Sequence, residues 1–328
     1  MPTTANLTRD FQVHQSSVKT DVLLDVKKDV EKSTDSKIKI IAKKAFETFK
    51  KIYDFIYAKN PVTQKRQLWL IPTSFEKFAG SWMYASYVFN EGGKTFDEKN
   101  SKLVQKIGQD LTKDSKRELN WEFTQIRSPK INAFCLPGGK ICIYDGIIEG
   151  IEKVNIKGYR DLSKKDKIAA VLAHEIIHAE ARHTARRIEK LFIFNIILIG
   201  IRIYTAIVMD IFRANADEKQ KKKEKMYFDI AKFVTDHLTT LFTKLYIFAG
   251  SRSQEYEADK YGMYLMKEAG YNPKAALWLQ EFFITRELKT SDWIKKAYEI
   301  FSTHPTAQSR LEKNKETLNE IEKKKSVA

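Results

Sequence analysis

Apolar residues recur at helical spacing along most of this chain, and the interruptions divide it into elements. From Ser36 to Ala58, Ile38, Ile41, Ala45, Phe49, Ile52 and Ile56 share one face, while Lys37, Lys39, Lys43, Lys44, Lys50 and Lys51 crowd elsewhere. Asn60-Pro61 breaks that helix, because proline bars the helical region to the residue before it. A short apolar connector through Leu68 to Ile71 follows, closed by Pro72. Residues 73–127 read as helices with a loop at Asn90-Glu91-Gly92-Gly93, and Trp82, Tyr84, Tyr87 and Phe89 are expected in the core. Residues 121–148 form the one convincing β region, with Trp121 to Ile126 and Ile131 to Tyr144 as strands around Pro137-Gly138-Gly139-Lys140. Ser163-Lys164-Lys165-Asp166 fits a capping box, opening a helix whose apolar stripe is Ile168, Val171, Leu172, Ile176 and Ala179.

The second half is helical throughout. Leu191 to Phe212 is an apolar run long enough to cross a bilayer, yet Arg202 in its middle would cost about 2.5–3.5 kcal/mol there. Residues 226–250 carry Asp229, Lys232, Asp236 and Lys244, and their apolar positions form a seam rather than a span. Ser251 with Gln254 is a candidate capping box for the next helix, which Gly270 stops. Asn272-Pro273 opens a helix through Leu288, His304-Pro305 precedes another, and the chain ends in a charged tail. The fold class implied is α+β and predominantly helical.

Composition narrows this picture. With 328 residues, 43% of them hydrophobic, there is material for one large domain or two small ones. A formal charge of +16 attracts an anionic surface, either nucleic acid or lipid. There is no zinc knuckle, basic heptad region or aromatic ribonucleoprotein motif, so lipid is favoured and no nucleic acid is expected. Residues 1–36 contain no readable secretory signal and too much acid for a typical transit peptide. The only cysteines, Cys135 and Cys142, would face each other if the hairpin loop were Gly138-Gly139 alone; Pro137 argues for a longer loop and two buried thiols.

Candidate chemistry centres on His174-Glu175-Ile176-Ile177-His178. At i and i+4 the two imidazoles share a helix face and can grip one Zn²⁺, with Glu175 placed to take a proton from a water activated there. The metzincin pattern is excluded, because Ala181 and Thr184 stand where its glycine and third histidine belong, and His183 is one residue out of register. Downstream, Glu255 and Asp259 are also i and i+4, so one carboxylate can bind the metal while the other accepts the free ring N–H of a ligating histidine. A single membrane crossing at 191–212 would separate these helices, so that run is read as dipping into a membrane face or buried in a helical pair, with the membrane favoured.

HEIIH followed by SRSQEYEAD resembles the HtpX and CAAX-prenyl-protease family of zinc peptidases, in the branch of mitochondrial inner-membrane stress proteases and bacterial periplasmic quality-control proteases. The stretches at 60–76, 131–148 and 302–311 agree with it. The resemblance implies a gluzincin: one Zn²⁺ per chain on His174, His178 and Glu255, with Glu175 as general base and Asp259 behind a histidine. It further implies His304 and Arg310 near the metal, and a strand edge at Asn132, Ala133 and Phe134 along which a polypeptide substrate adds by β-augmentation. The expected organisation is an N-terminal stretch 1–59, a peptidase domain 60–315 with a hydrophobic insert at 191–250, and a tail 316–328. The expected enzyme is a metalloendopeptidase of protein quality control, membrane-associated through 191–212 and helix 36–58. The alternative is a membrane-bound scaffold or chaperone with a non-catalytic metal site.

Overall fold

The computed structural model describes residues 36–213, 252–289 and 307–325. The chain divides into two compact units, Met1–Ala58 and Lys59–Ala328. The first contains helix α1 (Ser36–Ile56), on which Lys43, Lys44, Lys50 and Lys51 are exposed and Tyr53 stacks on Tyr57 with ring centroids 4.7 Å apart. The side chains of Ile38, Ile41, Ala45, Phe49 and Ile52 lie outside the described ones. A short strand β1 (Tyr57–Lys59) falls at the division.

The second unit begins with the break expected at Asn60. This buried side chain accepts from the N–H groups of Val62 and Thr63, turning the chain, and donates to Gln67 and to the carbonyl of Ala181. Strand β2 (Arg66–Leu68) and helices α2 (Thr73–Asn90) and α3 (Glu98–Leu111) follow. A three-stranded sheet has β3 (Glu122–Ile126) parallel to β5 (Lys140–Tyr144), while β4 (Ala133–Leu136) pairs antiparallel with β5 and forms an edge. Helices α4 (Asp145–Lys153), α5 (Lys164–Glu180) and α6 (His183–Arg213) come next, then α7 over 252–268, α8 (Ala275–Lys289) and α9 (Ala307–Lys325).

Helix α5 is the axis of the core. It opens on the expected capping box: Ser163 accepts from Asp166 N–H, and the Asp166 carboxylate accepts from Ser163 N–H. Every residue from Ile168 to Ile177 is buried, so the helix is covered on all sides, by α3, α4, α8 and the strands β4 and β5. Helix α9 packs on α8 and continues past residue 316, with Thr317 and Ile321 buried.

One expectation is corrected, and one choice between alternatives is decided. Trp82, Tyr87 and Phe89 are not core residues: Trp82 is 77% and Phe89 82% exposed, and only Tyr84 is half-buried, its hydroxyl 2.5 Å from Thr124 Oγ1. The reason is how closely α2 approaches the turn Pro137–Gly139. A Cβ on Gly80 would lie 1.7 Å from the Pro137 carbonyl oxygen, and one on Gly138, at φ 75°, would lie 2.7 Å from Lys77 Cα. Small residues must face inward there, which turns Trp82 and Phe89, on the opposite side of α2 from Gly80, out to solvent; Tyr87 shares the Gly80 face and rests half over Phe134 at the sheet edge. For the cysteines the longer loop that Pro137 argued for is the one formed, and the two are not opposite each other. Leu136 pairs with Lys140 across a three-residue turn, so Cys135 faces Ile141 and Cys142 faces Phe134. That one-residue slip puts the two thiols on opposite sheet faces, where both are free and burial pushes Cys142 up to about 12.

Among the described residues no helix is long and apolar enough to cross a membrane. The run 191–212 lies on the single helix α6, whose side chains beyond Gly200 are, except for Ile203, outside the described ones. Residues 226–250 and the lysines at 219–225 are outside the described residues altogether.

The α2 contact predicts that Gly80→Ala, harmless in an isolated helix, lowers stability by roughly 1–3 kcal/mol through overpacking against backbone. Equilibrium denaturant unfolding measures it, and an unchanged midpoint would refute the contact.

Candidate active site

The i, i+4 spacing on α5 brings His174 Nε2 and His178 Nε2 to 3.0 Å. Helix α7 supplies the third group: Glu255 Oε2 is 3.2 Å from His174 Nε2, and Glu255 Oε1 is 3.3 Å from His178 Nε2. One donor atom from each residue lies within 4.8 Å of the others, a grouping that could hold a metal ion. Bonds of about 2.0–2.2 Å in a tetrahedron set ligand atoms roughly 3.3 Å apart, the size of the separations found here to one or the other Glu255 oxygen, so the three residues suit Zn²⁺. The donor set of two imidazoles and a carboxylate is one zinc accepts.

The electrostatics also call for a cation. Burial and the Arg310 charge oppose a proton on His174, but the Glu255 and Asp259 carboxylates outweigh them and raise its pKa to about 10. On His178 burial dominates, and the pKa falls to about 3. Behind His174, its Nδ1 is 2.9 Å from Asp259 Oδ1. Asp259 stands one turn after Glu255 on α7, so the two carboxylates reach the same ring from different sides. Arg310 on α9 donates to both Asp259 oxygens, at 2.7 and 2.6 Å, and its Nη1 is 3.2 Å from Glu255 Oε2. Burial would raise the Asp259 carboxyl, but Arg310 and His174 hold it at about 2.

Glu175 is buried on α5. Burial foremost, and the Glu175 charge next, push the Cys135 thiol upward, and α5 packs against β4. At that edge, Ala133 and Phe134 belong to β4 and Asn132 precedes it; the Asn132 side chain accepts from Ala133 N–H. Phe134 packs between Tyr87 and Tyr144. His304 lies outside the described residues.

The sequence reading missed a second layer. Between α5 and α6, Arg182 adopts φ 58°, a left-handed conformation uncommon for a residue with a side chain. Its guanidinium is fully buried, bonded to Glu76 at 2.8 Å, Glu189 at 3.0 Å and the Ile71 carbonyl at 2.6 Å, and stacked 3.8 Å over the Trp69 ring. Arg117 joins through Glu76, and Glu189 also accepts from Leu70 and Ile71 N–H. This buried cluster fixes the turn after the HEIIH helix. The legible trace was the density of charge around Arg182; which charges pair, Arg182 with Glu76 across 106 residues and Arg117 with Glu76 across 41, was not legible.

Residues 98–318 match the model of Peptidase family M48. The chain belongs to that family. It is 28% identical over 274 residues to the mitochondrial metalloendopeptidase OMA1 of Schizosaccharomyces pombe, a match covering 82% of this chain and 68% of that protein. It is 30% identical over 159 residues to the Arabidopsis thaliana protein of the same name, covering 48% of this chain and 24% of the relative. It is 23% identical over 201 residues to the β-barrel assembly-enhancing protease of Escherichia coli, covering 61% of this chain and 35% of the relative. The matched stretch thus spans about two thirds of the fission-yeast relative and about a third or less of the other two. The enzyme is a metalloendopeptidase of this family, as the HEIIH reading implied.

The ion pair behind His174 predicts an asymmetry. Asp259→Ala takes from the buried Arg310 the carboxylate that holds it at two points, leaving Glu255 at 3.2 Å, and costs up to about 3–5 kcal/mol, while Asp259→Ala with Arg310→Met costs less. Because the folded Asp259 pKa lies below its unfolded value of about 3.9, its contribution is complete above that pH and is lost as pH falls towards about 2. Denaturant titrations of the metal-free chain at pH 7 and across this window measure both effects. Equal losses in the single and double variants would contradict the pairing.

Proposed function

We propose that this peptidase is zinc-dependent and cuts peptide bonds in misfolded or membrane-associated polypeptides, as part of protein quality control. The observation that carries the reading is the convergence of His174, His178 and Glu255 to mutual distances of 3.0–3.3 Å, with Glu175 next to His174 on the same helix. Zinc held by these three residues would supply a Lewis acid that polarises the scissile carbonyl and makes water a nucleophile near neutral pH. Glu175 takes the proton from that water and passes it to the leaving amine, a role worth roughly 10²–10⁴-fold. Asp259, backed by Arg310, holds His174 with its Nε2 free of a proton.

Substrate backbone adds to β4. Tyr144 N–H bonds to the Asn132 carbonyl, so the antiparallel alternation aims the main-chain groups of Ala133 and Cys135 away from β5. Those two residues, rather than Asn132 and Phe134, are the ones whose main chain meets an extended peptide. Such binding reads backbone and few side chains, which suits an enzyme that cuts varied chains.

Membrane association rests on α6, where Phe192, Ile193, Ile196, Ile197 and Ile199 are exposed, and on the lysines of α1. Two of the relatives described above are named as mitochondrial, in keeping with an organelle membrane.

Glu175→Gln is expected to keep zinc stoichiometry and fold while casein cleavage falls at least 10²-fold, and Glu255→Ala to lower the stoichiometry. Casein turnover with and without chelator, alongside metal analysis, tests both; full turnover by the Gln variant would overturn the base, and full zinc in the Ala variant the ligand. Serine at Phe192, Ile196 and Ile199, all exposed, is expected to reduce co-flotation with vesicles containing anionic lipid. Equal flotation would remove α6 from the membrane contact.

A further inference from the structure

The two candidate ligand histidines differ in what stands behind them. Behind His174 is a carboxylate and an arginine, Asp259 and Arg310. Behind His178 is a third imidazole: His183 Nδ1 is 2.8 Å from His178 Nδ1. His183 Nε2 is 3.0 Å from Glu257 Oε2, and Arg186 Nη1 donates to that same oxygen at 2.6 Å. His183 is wholly buried, and Gln254 donates to its carbonyl. The carboxylate–arginine pair therefore recurs behind both rings, with one imidazole interposed on the His178 side.

We infer that His183 and Glu257 form a positioning relay that fixes the ring orientation and tautomer of His178, and so sets the strength and geometry of metal binding. This rests on the ligand set proposed above. If His178 offers Nε2 to the metal, its only proton is on Nδ1, and that N–H must find an acceptor. His183 Nδ1 accepts it. The remaining His183 proton is then on Nε2, which donates to Glu257, and Arg186 fixes the carboxylate. Every donor in the chain has one acceptor and no proton is left over.

The backbone is arranged for this contact. His183 comes five residues after His178, where a continuous helix would carry it to a different face. The left-handed Arg182 breaks the helix instead, α6 starts at His183, and that ring meets the back of His178. The buried bonds from Arg182 to Glu76, Glu189 and the Ile71 carbonyl hold a backbone conformation that a residue with a side chain otherwise avoids. Helix α7 thereby faces the site with three acidic residues: Glu255 towards the metal position, Asp259 behind His174, and Glu257 behind His183.

The full chain with His183→Leu, His183→Asn or Glu257→Gln would be compared with wild type, with His178→Ala as reference. Zinc affinity is read by competition with a chromophoric chelator, and geometry by the visible absorption of the Co²⁺-loaded protein. His183→Leu should weaken zinc about 10–100-fold and shift the Co²⁺ bands. His183→Asn, whose side-chain oxygen can accept from His178, should recover much of both, and Glu257→Gln should fall between. Circular dichroism reports folding, and if the Leu variant does not fold, Glu257→Gln against wild type decides. Wild-type affinity and Co²⁺ bands in a folded His183→Leu or Glu257→Gln protein would overturn the relay. Unchanged affinity in His178→Ala would instead overturn the ligand set, which separates the two failures.

Discussion

A carboxylate taken out of water costs several kcal/mol unless positive charge and hydrogen bonds meet it, and this molecule buries Glu255 and Asp259 one turn apart at its centre. Arg310 answers both, from a helix more than fifty residues further on, and His174 lies between the two carboxylates. The meeting of α5, α7 and α9 follows from that requirement as much as from apolar packing. Two acids face one arginine, and their surplus negative charge is what raises His174 to about 10, so the site favours one more positive charge. A divalent cation at the open corner of the triangle would supply it.

Rigidity around the site comes from a second set of buried charges. Arg182, Arg117, Glu76 and Glu189 form a connected group on the far side of the α5–α6 turn, roofed by Trp69. It ties the connector before α2, the start of α2 and the turn after the HEIIH helix into one body. In this way a strained residue and the break between two helices are held where the second candidate ligand needs support.

The outer surface follows a different logic. Helix α2 approaches the β4–β5 turn so closely that only small residues fit between them, and Trp82 and Phe89 on its other side face outward. Helix α6 exposes a row of isoleucines and Phe192. Exposed apolar area of this kind is costly in water, which is why an interface with lipid enters the functional reading.

The sequence alone determined what depends on short spacing. The i, i+4 histidines, the i, i+4 acids, the Ser163–Asp166 box and the break at Asn60 are local geometry, and helix periodicity translates them directly into shared faces and ends. The helix and strand content was legible for the same reason. Tertiary structure alone decided the rest: which face of α2 is buried, the one-residue slip that separates Cys135 from Cys142, the pairing of Arg182 with Glu76 and Glu189, and the arrival of His183 behind His178. Each depends on how near two distant backbones come. Periodicity carries no measure of that distance, whereas the size of a glycine, the length of a turn and the need to neutralise a buried charge set it only once the chain has closed on itself.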